Sequence, residues 1–382
     1  MENDQQLWIK ALDRACTILK HNLEKFDDRF PSSTTKDGFY HPVENKSWTP
    51  GFCTGMYWLA YEHTGDSGFR QTALRQVDSF LHRIEHNIDT DNHDMGFLYT
   101  PSCVAAYILT GSPAAEKAAL LAAEKLCSRF QEKGRFIQAW GVLNAPENYR
   151  MIIDCLLNVP LLYWAAGVTG RERYRNIADA HVHTSMKHLV RTDNSTFHTF
   201  FFDPQTGAPL YGCTRQGYRD DSAWARGQAW GMYGMALAYH YTHETGCIDL
   251  YQRVTDYYLA HLPADGIPYW DLCFKEDSGE PRDSSAAVIA CCGMLEMAKY
   301  LPQQQAEQTY HMVVKTARRL AAEYAVPDAG ISNGLLMHGV YAKASPFNPI
   351  PKDDGVDECN LWGDYFYMEL LTRLTTDWRM YW

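Results

Sequence analysis

Trp224-Ala225-Arg226-Gly227-Gln228-Ala229-Trp230 opens a run of small and apolar residues that reaches Thr245-Gly246, and an amphipathic stretch, 247–262, follows it. The same unit recurs along the chain. Its other openings are Trp48-Thr49-Pro50-Gly51-Phe52, Asp94-Met95-Gly96-Phe97, Arg150-Met151-Ile152-Ile153-Asp154, Arg282-Asp283-Ser284-Ser285 and Trp362-Gly363-Asp364-Tyr365. Thr64-Gly65, Thr110-Gly111 and Thr169-Gly170 repeat the Thr-Gly punctuation, and glycine after a helix takes the left-handed conformation that other residues resist. Each first helix is apolar all round, as a buried inner helix requires. The helices expected at 68–88, 113–130, 171–190, 247–262 and 303–325 are amphipathic, as an outer ring requires. The pattern predicts an all-α fold, an (α/α)6 barrel of six inner and six outer helices. Strand-like alternation is sparse, with Phe197 to Phe202 the best stretch for a minor hairpin or extended loop. No linker or shift of composition interrupts the 382 residues, so one catalytic domain over 1–382 is expected.

If every inner helix starts at the same end, the openings surround one cleft. They bring Trp48, His93, Asp94, Asp154, Trp224, Arg226, Gln228, Trp230 and Asp364 to it. A cleft of carboxylates, amides and aromatics suits polyhydroxylated ligands. Aromatics make up 13% of the chain, more than a core needs to form, and their amphipathic rings are platforms for sugars. The formal charge of −11 comes without a basic stripe, which argues against nucleic acid. No apolar segment is long enough to span a membrane, and Met1 to Gln6 is polar and lacks the features of a secretory signal. Eleven scattered cysteines without a CxxC pair read as reduced thiols of a cytoplasmic protein, with neither disulfides nor structural zinc.

Two aspartates stand out. Asp94 has the position of a helix N-cap, a role compatible with catalysis. Asp154 lies in the apolar run Met151-Ile152-Ile153-Asp154-Cys155-Leu156-Leu157, read as helix-forming, where a lone charge carries a heavy desolvation penalty. Burial and a second carboxylate would raise its pKa towards the range of a general acid; satisfaction by the backbone or by Arg150 is the structural alternative. His198, between Phe197 and Thr199, is either packed or a ligand contact. Arg215 to Trp230 interleaves polar donors with Trp and Gly, which favours a binding surface containing Gln216, Arg226, Gln228 and Trp230. HExxH, P-loop and GxGxxG motifs are absent, so metal and nucleotide chemistry have no foothold.

With Asn92-His93-Asp94-Met95-Gly96-Phe97-Leu98-Tyr99, Ile137-Gln138-Ala139-Trp140-Gly141, Met151 to Asn158, His198 to Pro204, Trp224 to Gly231 and Leu361-Trp362-Gly363-Asp364-Tyr365 in this order, the sequence resembles glycoside hydrolase family 88, the unsaturated glucuronyl hydrolases. The resemblance implies an (α/α)6 barrel, no cofactor or metal, and an unsaturated oligosaccharide as partner. It implies hydration of the C4=C5 enol ether of a 4,5-unsaturated uronic acid at the non-reducing end. Asp154 then matches the general acid/base, and Asp94 the second acid, which positions substrate and holds Asp154's pKa up. Trp48, Trp140, Trp224 and Trp230 match aromatic walls. His93, His198, Gln216 and Arg226 match polar contacts, with His198 and Arg226 directed to the uronate carboxylate or adjacent hydroxyls.

Two departures bear on substrate. The Ser-x-x-Ser-x-Lys motif of members that take sulfated disaccharides is missing from Tyr341 to Lys352, and Arg215 stands where other members have His. The extra cation would suit a more acidic aglycone. Two enzymes with the same barrel are the alternatives: an unsaturated rhamnogalacturonyl hydrolase acting on pectin fragments, and a sugar 2-epimerase-like isomerase. The latter depends on histidine pairs, whereas the best-placed acids here are aspartates. A non-catalytic sugar-binding barrel is a third.

Overall fold

The computed structural model describes residues 2–382, with side chains from Asp4 onward. Its helices are α1 (Glu2–Asn22), α2 (Pro50–Thr64), α3 (Ser67–Glu85), α4 (Met95–Tyr99), α5 (Ala105–Thr110), α6 (Pro113–Cys127), α7 (Pro160–Thr169), α8 (Glu172–His188), α9 (Ala225–Thr242), α10 (Thr245–Ala260), α11 (Ser284–Ala298), α12 (Gln303–Arg319) and α13 (Leu361–Thr375). A π-helical turn, Thr100–Val104, joins α4 to α5 in one inner helix. Pro101 explains it: without an N–H the residue cannot continue the regular ladder, and the chain widens by a turn instead of breaking. The fold is an (α/α)6 barrel. Helices α2, α4–α5, α7, α9, α11 and α13 form the inner ring, and α1, α3, α6, α8, α10 and α12 the outer. None of the helices described is long and apolar enough to cross a membrane.

Burial separates the rings as the sequence pattern requires. On α11 every residue from Ser284 to Met294 is buried, whereas α12 buries only Thr309, Val313, Val314 and Ala317, a single stripe. Each large aliphatic side chain so buried contributes about 1.5–3 kcal/mol. Small residues set how closely inner helices approach. A Cβ on Gly293 of α11 would lie 2.7 Å from the Tyr233 Cα of α9, so only glycine fits there.

Two expectations need correction. Gly65, Gly111 and Gly170 do cap helices with φ near +70°, but Thr245-Gly246 begins α10; the left-handed cap of α9 is His243, φ +55°. The third opening does not start a helix. Arg150–Ile152 is a strand, Ile153–Leu157 a 3-10 turn, and α7 follows only at Pro160, so Asp154 stands on the turn. The outer ring is completed by α1, which arises from the polar N-terminal segment and packs on α13 and α2.

Ahead of α9, strands Arg150–Ile152, Thr199–Phe202 and Pro209–Cys213 pair antiparallel in one small sheet, which includes most of the expected Phe197–Phe202 stretch. Its register sets Arg150 opposite Phe201 and Phe201 opposite Tyr211. The other end of the barrel is closed by the last residues. Trp382 stacks on Phe366 at 5.8 Å, its indole N–H donates to Glu369 Oε2 (2.8 Å), and Tyr241 Oη donates to its carbonyl (2.7 Å).

Candidate active site

At the N-terminal end of the inner ring lies a cavity of about 310 Å³, large enough for a sugar. Asp94 and Asp154 reach it from neighbouring elements, and Asn158 explains how they meet. Its Oδ1 accepts the Phe97 N–H at the start of α4 (2.7 Å), and its Nδ2 donates to the Asp154 carbonyl (3.3 Å). Gly96 allows the approach, since a Cβ there would sit 2.2 Å from the Asn158 Cα. One fully buried amide therefore ties the two acids' backbones together. Asn158 was not singled out from sequence; its signal is a lone amide in an apolar run.

Asp94 holds the N-cap position of α4, but its carboxylate caps no N–H of the helix. It remains free for the cavity. His93 Nε2 lies 3.5 Å from Asp94 Oδ1 and 3.5 Å from Asp154 Oδ1. One ligand atom of each residue falls within 4.8 Å of the others. The carboxyls are 13% and 19% exposed, and Asp154 Oδ1 is buried without a hydrogen-bond partner. Burial pushes Asp154 up to about 7 against the opposing charge of Arg226. Burial, then the Asp154 charge, raises Asp94 well above its usual range. The first proton leaves the pair near pH 7 and its loss holds back the second, so near neutrality the pair presents both an acid and a base. The repulsion is mutual: an ionised Asp154 holds Asp94's proton, and an ionised Asp94 would hold Asp154's. Burial, then the Arg129 cation, keeps His93 neutral. The three side chains also form a compact donor set for a divalent ion, which would compete with those protons.

The aromatic and polar residues matched through the family resemblance line the same cavity. Trp48 stacks on Trp362 at 4.9 Å and donates its indole N–H to Tyr341 Oη (3.1 Å). Trp140 lies under two guanidiniums, Arg150 at 3.9 Å and Arg215 at 5.1 Å. Trp230 is buried against Phe97. His198 rests on Trp224 (4.3 Å), and its Nδ1 accepts the N–H groups of Arg215 (3.0 Å) and Gln216 (3.1 Å), which puts its proton on Nε2. Burial, then Arg226, lowers its pKa to about 3, so it is a neutral donor. Arg226 is heavily engaged: Nη1 pairs with Asp283 (3.3 Å) and donates to the Val340 carbonyl, and Nη2 donates to Gln216 Oε1 (3.1 Å) and the Tyr341 carbonyl (2.9 Å). Ile152, Arg215 and Tyr341 complete the wall. A second hollow of about 390 Å³ shares Trp48, Asp94 and Trp140.

Two residues assigned to the cleft by position do not line it. Gln228 is fully buried, accepting the Thr196 N–H (2.9 Å) and donating to the carbonyls of Val254 (2.9 Å) and Asn194 (3.1 Å). Asp364 accepts from Tyr40 Oη (2.8 Å) and the N–H groups of Leu335 and Leu336. Both are turned away from the cavity and tie neighbouring segments to the inner helices.

Comparison with known proteins finds relatives in sequence and in structure. The model of Glycosyl Hydrolase Family 88 matches residues 22–319. An unsaturated chondroitin disaccharide hydrolase of Streptococcus pneumoniae is 47% identical over 375 residues, 98% of this chain and 93% of its own. The crystal structure of an unsaturated glucuronyl hydrolase from Streptococcus agalactiae superposes with a TM-score of 0.95 at 46% identity, covering 99% of this chain and 94% of that one. An Asp-to-Asn mutant of the S. agalactiae enzyme, complexed with dGlcA-GalNAc6S, has a TM-score of 0.86 at 42% identity and covers 98% and 92%.

Proposed function

The chain belongs to glycosyl hydrolase family 88, and from this we propose that it removes the 4,5-unsaturated uronic acid from the non-reducing end of lyase-generated oligosaccharides, with glycosaminoglycan-type disaccharides its main substrates. It is a glycosidase. One observation carries the assignment of residues: two carboxyls held within 4.8 Å of each other over a neutral histidine, in a sugar-sized, Trp-walled cavity. An ordinary retaining pair needs one carboxylate ionised as nucleophile. Burial that keeps protons on this pair to about pH 7 favours proton delivery to carbon instead.

In the proposed mechanism Asp154 protonates C4 and, once ionised, takes a proton from the water that adds at C5. The C5–O5 bond of the resulting hemiketal opens to a ketone, and C1, now a hemiacetal, releases the aglycone. Asp94 positions the substrate and shares the pair's proton. His198 Nε2–H and the Arg226 cation favour the uronate, and the indoles of Trp48, Trp140, Trp224 and Trp230 with Gln216 and His93 hold the ring. The segment that aligns with the sulfate motif is engaged in loop structure. Ser345 Oγ donates to the Tyr218 carbonyl (2.6 Å) and Lys343 pairs with Asp353 (3.5 Å), which supports a sulfation preference set elsewhere, with Arg215. We take 1–382 as one catalytic domain, since α1 packs on α13. Eleven free cysteines, nine of them buried, support a reducing, cytoplasmic setting.

The C4=C5 bond, conjugated to the carboxylate, absorbs in the short-wavelength ultraviolet, so hydration is read as bleaching. Unsaturated disaccharides from chondroitin and hyaluronan are expected to bleach, with heparin and gellan products as comparisons, and a chelator is expected to leave the rate unchanged. Asp154→Asn and Asp94→Asn should lose at least about 10³-fold in kcat, in line with loss of general acid/base catalysis, with circular dichroism intact. Normal turnover by Asp154→Asn would refute the assignment.

A further inference from the structure

The cavity wall does not stop at Trp140. The Arg150 guanidinium that lies 3.9 Å from the Trp140 ring is also 5.1 Å from the Phe201 ring, and Phe201 stacks on Tyr211 at 5.1 Å and 20°. The sheet register enforces this row, because Arg150, Phe201 and Tyr211 are direct cross-strand neighbours. Ile152, two residues along from Arg150 and so on the same face, lines the cavity itself. A single sheet face therefore walls the cavity and then runs outward from it. Exposure climbs along the row, from buried Arg150 through half-buried Phe201 to Tyr211 at 56%.

We propose that this row is a subsite for the sugars that follow the aglycone in oligosaccharides longer than a disaccharide. The inference rests on the reading of the cavity as the site of the unsaturated terminal uronate. An aromatic pair open on one side offers a flat apolar platform to the C–H face of a pyranose. The cation stacked beneath it gives that platform a positive potential in a chain of net charge −11. Arg150 donates to the Glu147 carbonyl (2.8 Å) and has no carboxylate partner among the described residues, so its charge is not neutralised within the fold. A polymer that alternates amino sugars and uronic acids supplies both an apolar ring face and an anionic group. A saccharide, rather than a second copy of the chain, fits because the row is continuous with a wall that already serves a sugar.

Tyr211 lies on the surface, outside the catalytic machinery, so its replacement should leave the fold and the disaccharide reaction untouched. The experiment compares unsaturated di- and tetrasaccharides from the same chondroitin digest on the unaltered chain, Tyr211→Ala and Tyr211→Phe. Tyr211→Ala should raise KM for the tetrasaccharide about 3- to 10-fold, the range of one aromatic stacking contact, with kcat and both disaccharide constants unchanged. Tyr211→Phe should restore the tetrasaccharide KM. Equal shifts on both substrates, no shift on either, or a dimer in sedimentation that Tyr211→Ala dissociates would overturn the subsite. Failure of the unaltered chain to turn over the disaccharide would overturn the parent reading of the cavity, and the subsite with it.

Discussion

At Asp154 the demands of chemistry and of folding oppose each other. A free aspartic acid ionises near 3.9, but in the fold this one keeps its proton to about 7. Between those values the unfolded chain binds fewer protons than the folded one, so this group's contribution to stability falls as pH rises through the window and then levels off. Asp154→Asn removes the titration. Its stability should gain on that of the unaltered chain as pH rises from 4 to 8, by up to about 4 kcal/mol of linkage, read as a widening gap in thermal unfolding temperature; a gap that stays constant with pH would contradict the raised pKa. The same proton governs turnover. The rate constant kcat/KM for a disaccharide should fall as pH rises through about 7, where the pair loses its first proton. Asp154 was legible in sequence because a carboxylate in an apolar run is costly without a purpose, whereas Asp94 looked like an N-cap and gained its role only through the family resemblance. Gln228 and Asp364 carried a similar signal and proved structural, because position in an opening does not say which way a side chain turns.

Among the elements, the 3-10 turn Ile153–Leu157 differs most from its sequence reading. Its residues are apolar enough for a helix, yet Ile152 is held extended by Thr199 across the sheet, a long-range pairing that local periodicity cannot reveal. The helices themselves were readable, because inner and outer rings differ in how far round the apolar surface extends. Helix ends were readable only where glycine marked them; His243 takes the left-handed cap of α9 without such a signal. The turn's register against α4 rests on Asn158. Asn158→Ala leaves the Phe97 N–H unpaired in a buried place and frees the Asp154 backbone, which should destabilise the chain by about 1–3 kcal/mol. Because reacting groups tolerate little misplacement, kcat should fall about 10²-fold. The activity loss should persist at temperatures where circular dichroism shows the variant fully folded; full activity there would show that Asn158 serves stability alone.

In the whole molecule, labour is divided between the two ends of one barrel. The N-terminal ends of the inner helices carry the cavity, and the opposite end is sealed by residues 378–382. There Trp378 Nε1 donates to Glu62 (3.2 Å), Tyr381 Oη bonds the same carboxylate, and Trp382 enters between Tyr241 and Phe366. The sealed end and the cavity share the Phe97 neighbourhood, since Phe97 contacts both Trp230 and Trp382. Breaking the seal should therefore lower the unfolding temperature first and affect catalysis only through the loosened core.

That seal has a practical consequence for handling the protein. Trp382 is 3% exposed, so a purification tag or reporter fused behind it must climb out through the packed base of the barrel. Attached ahead of α1, the same tag meets no such obstacle at Asp4 and beyond, where the helix lies on the outer ring. Melting curves of the two fusions should separate, with the rear-tagged form unfolding several degrees earlier. Equal curves would mean that the indole can leave its berth without loss.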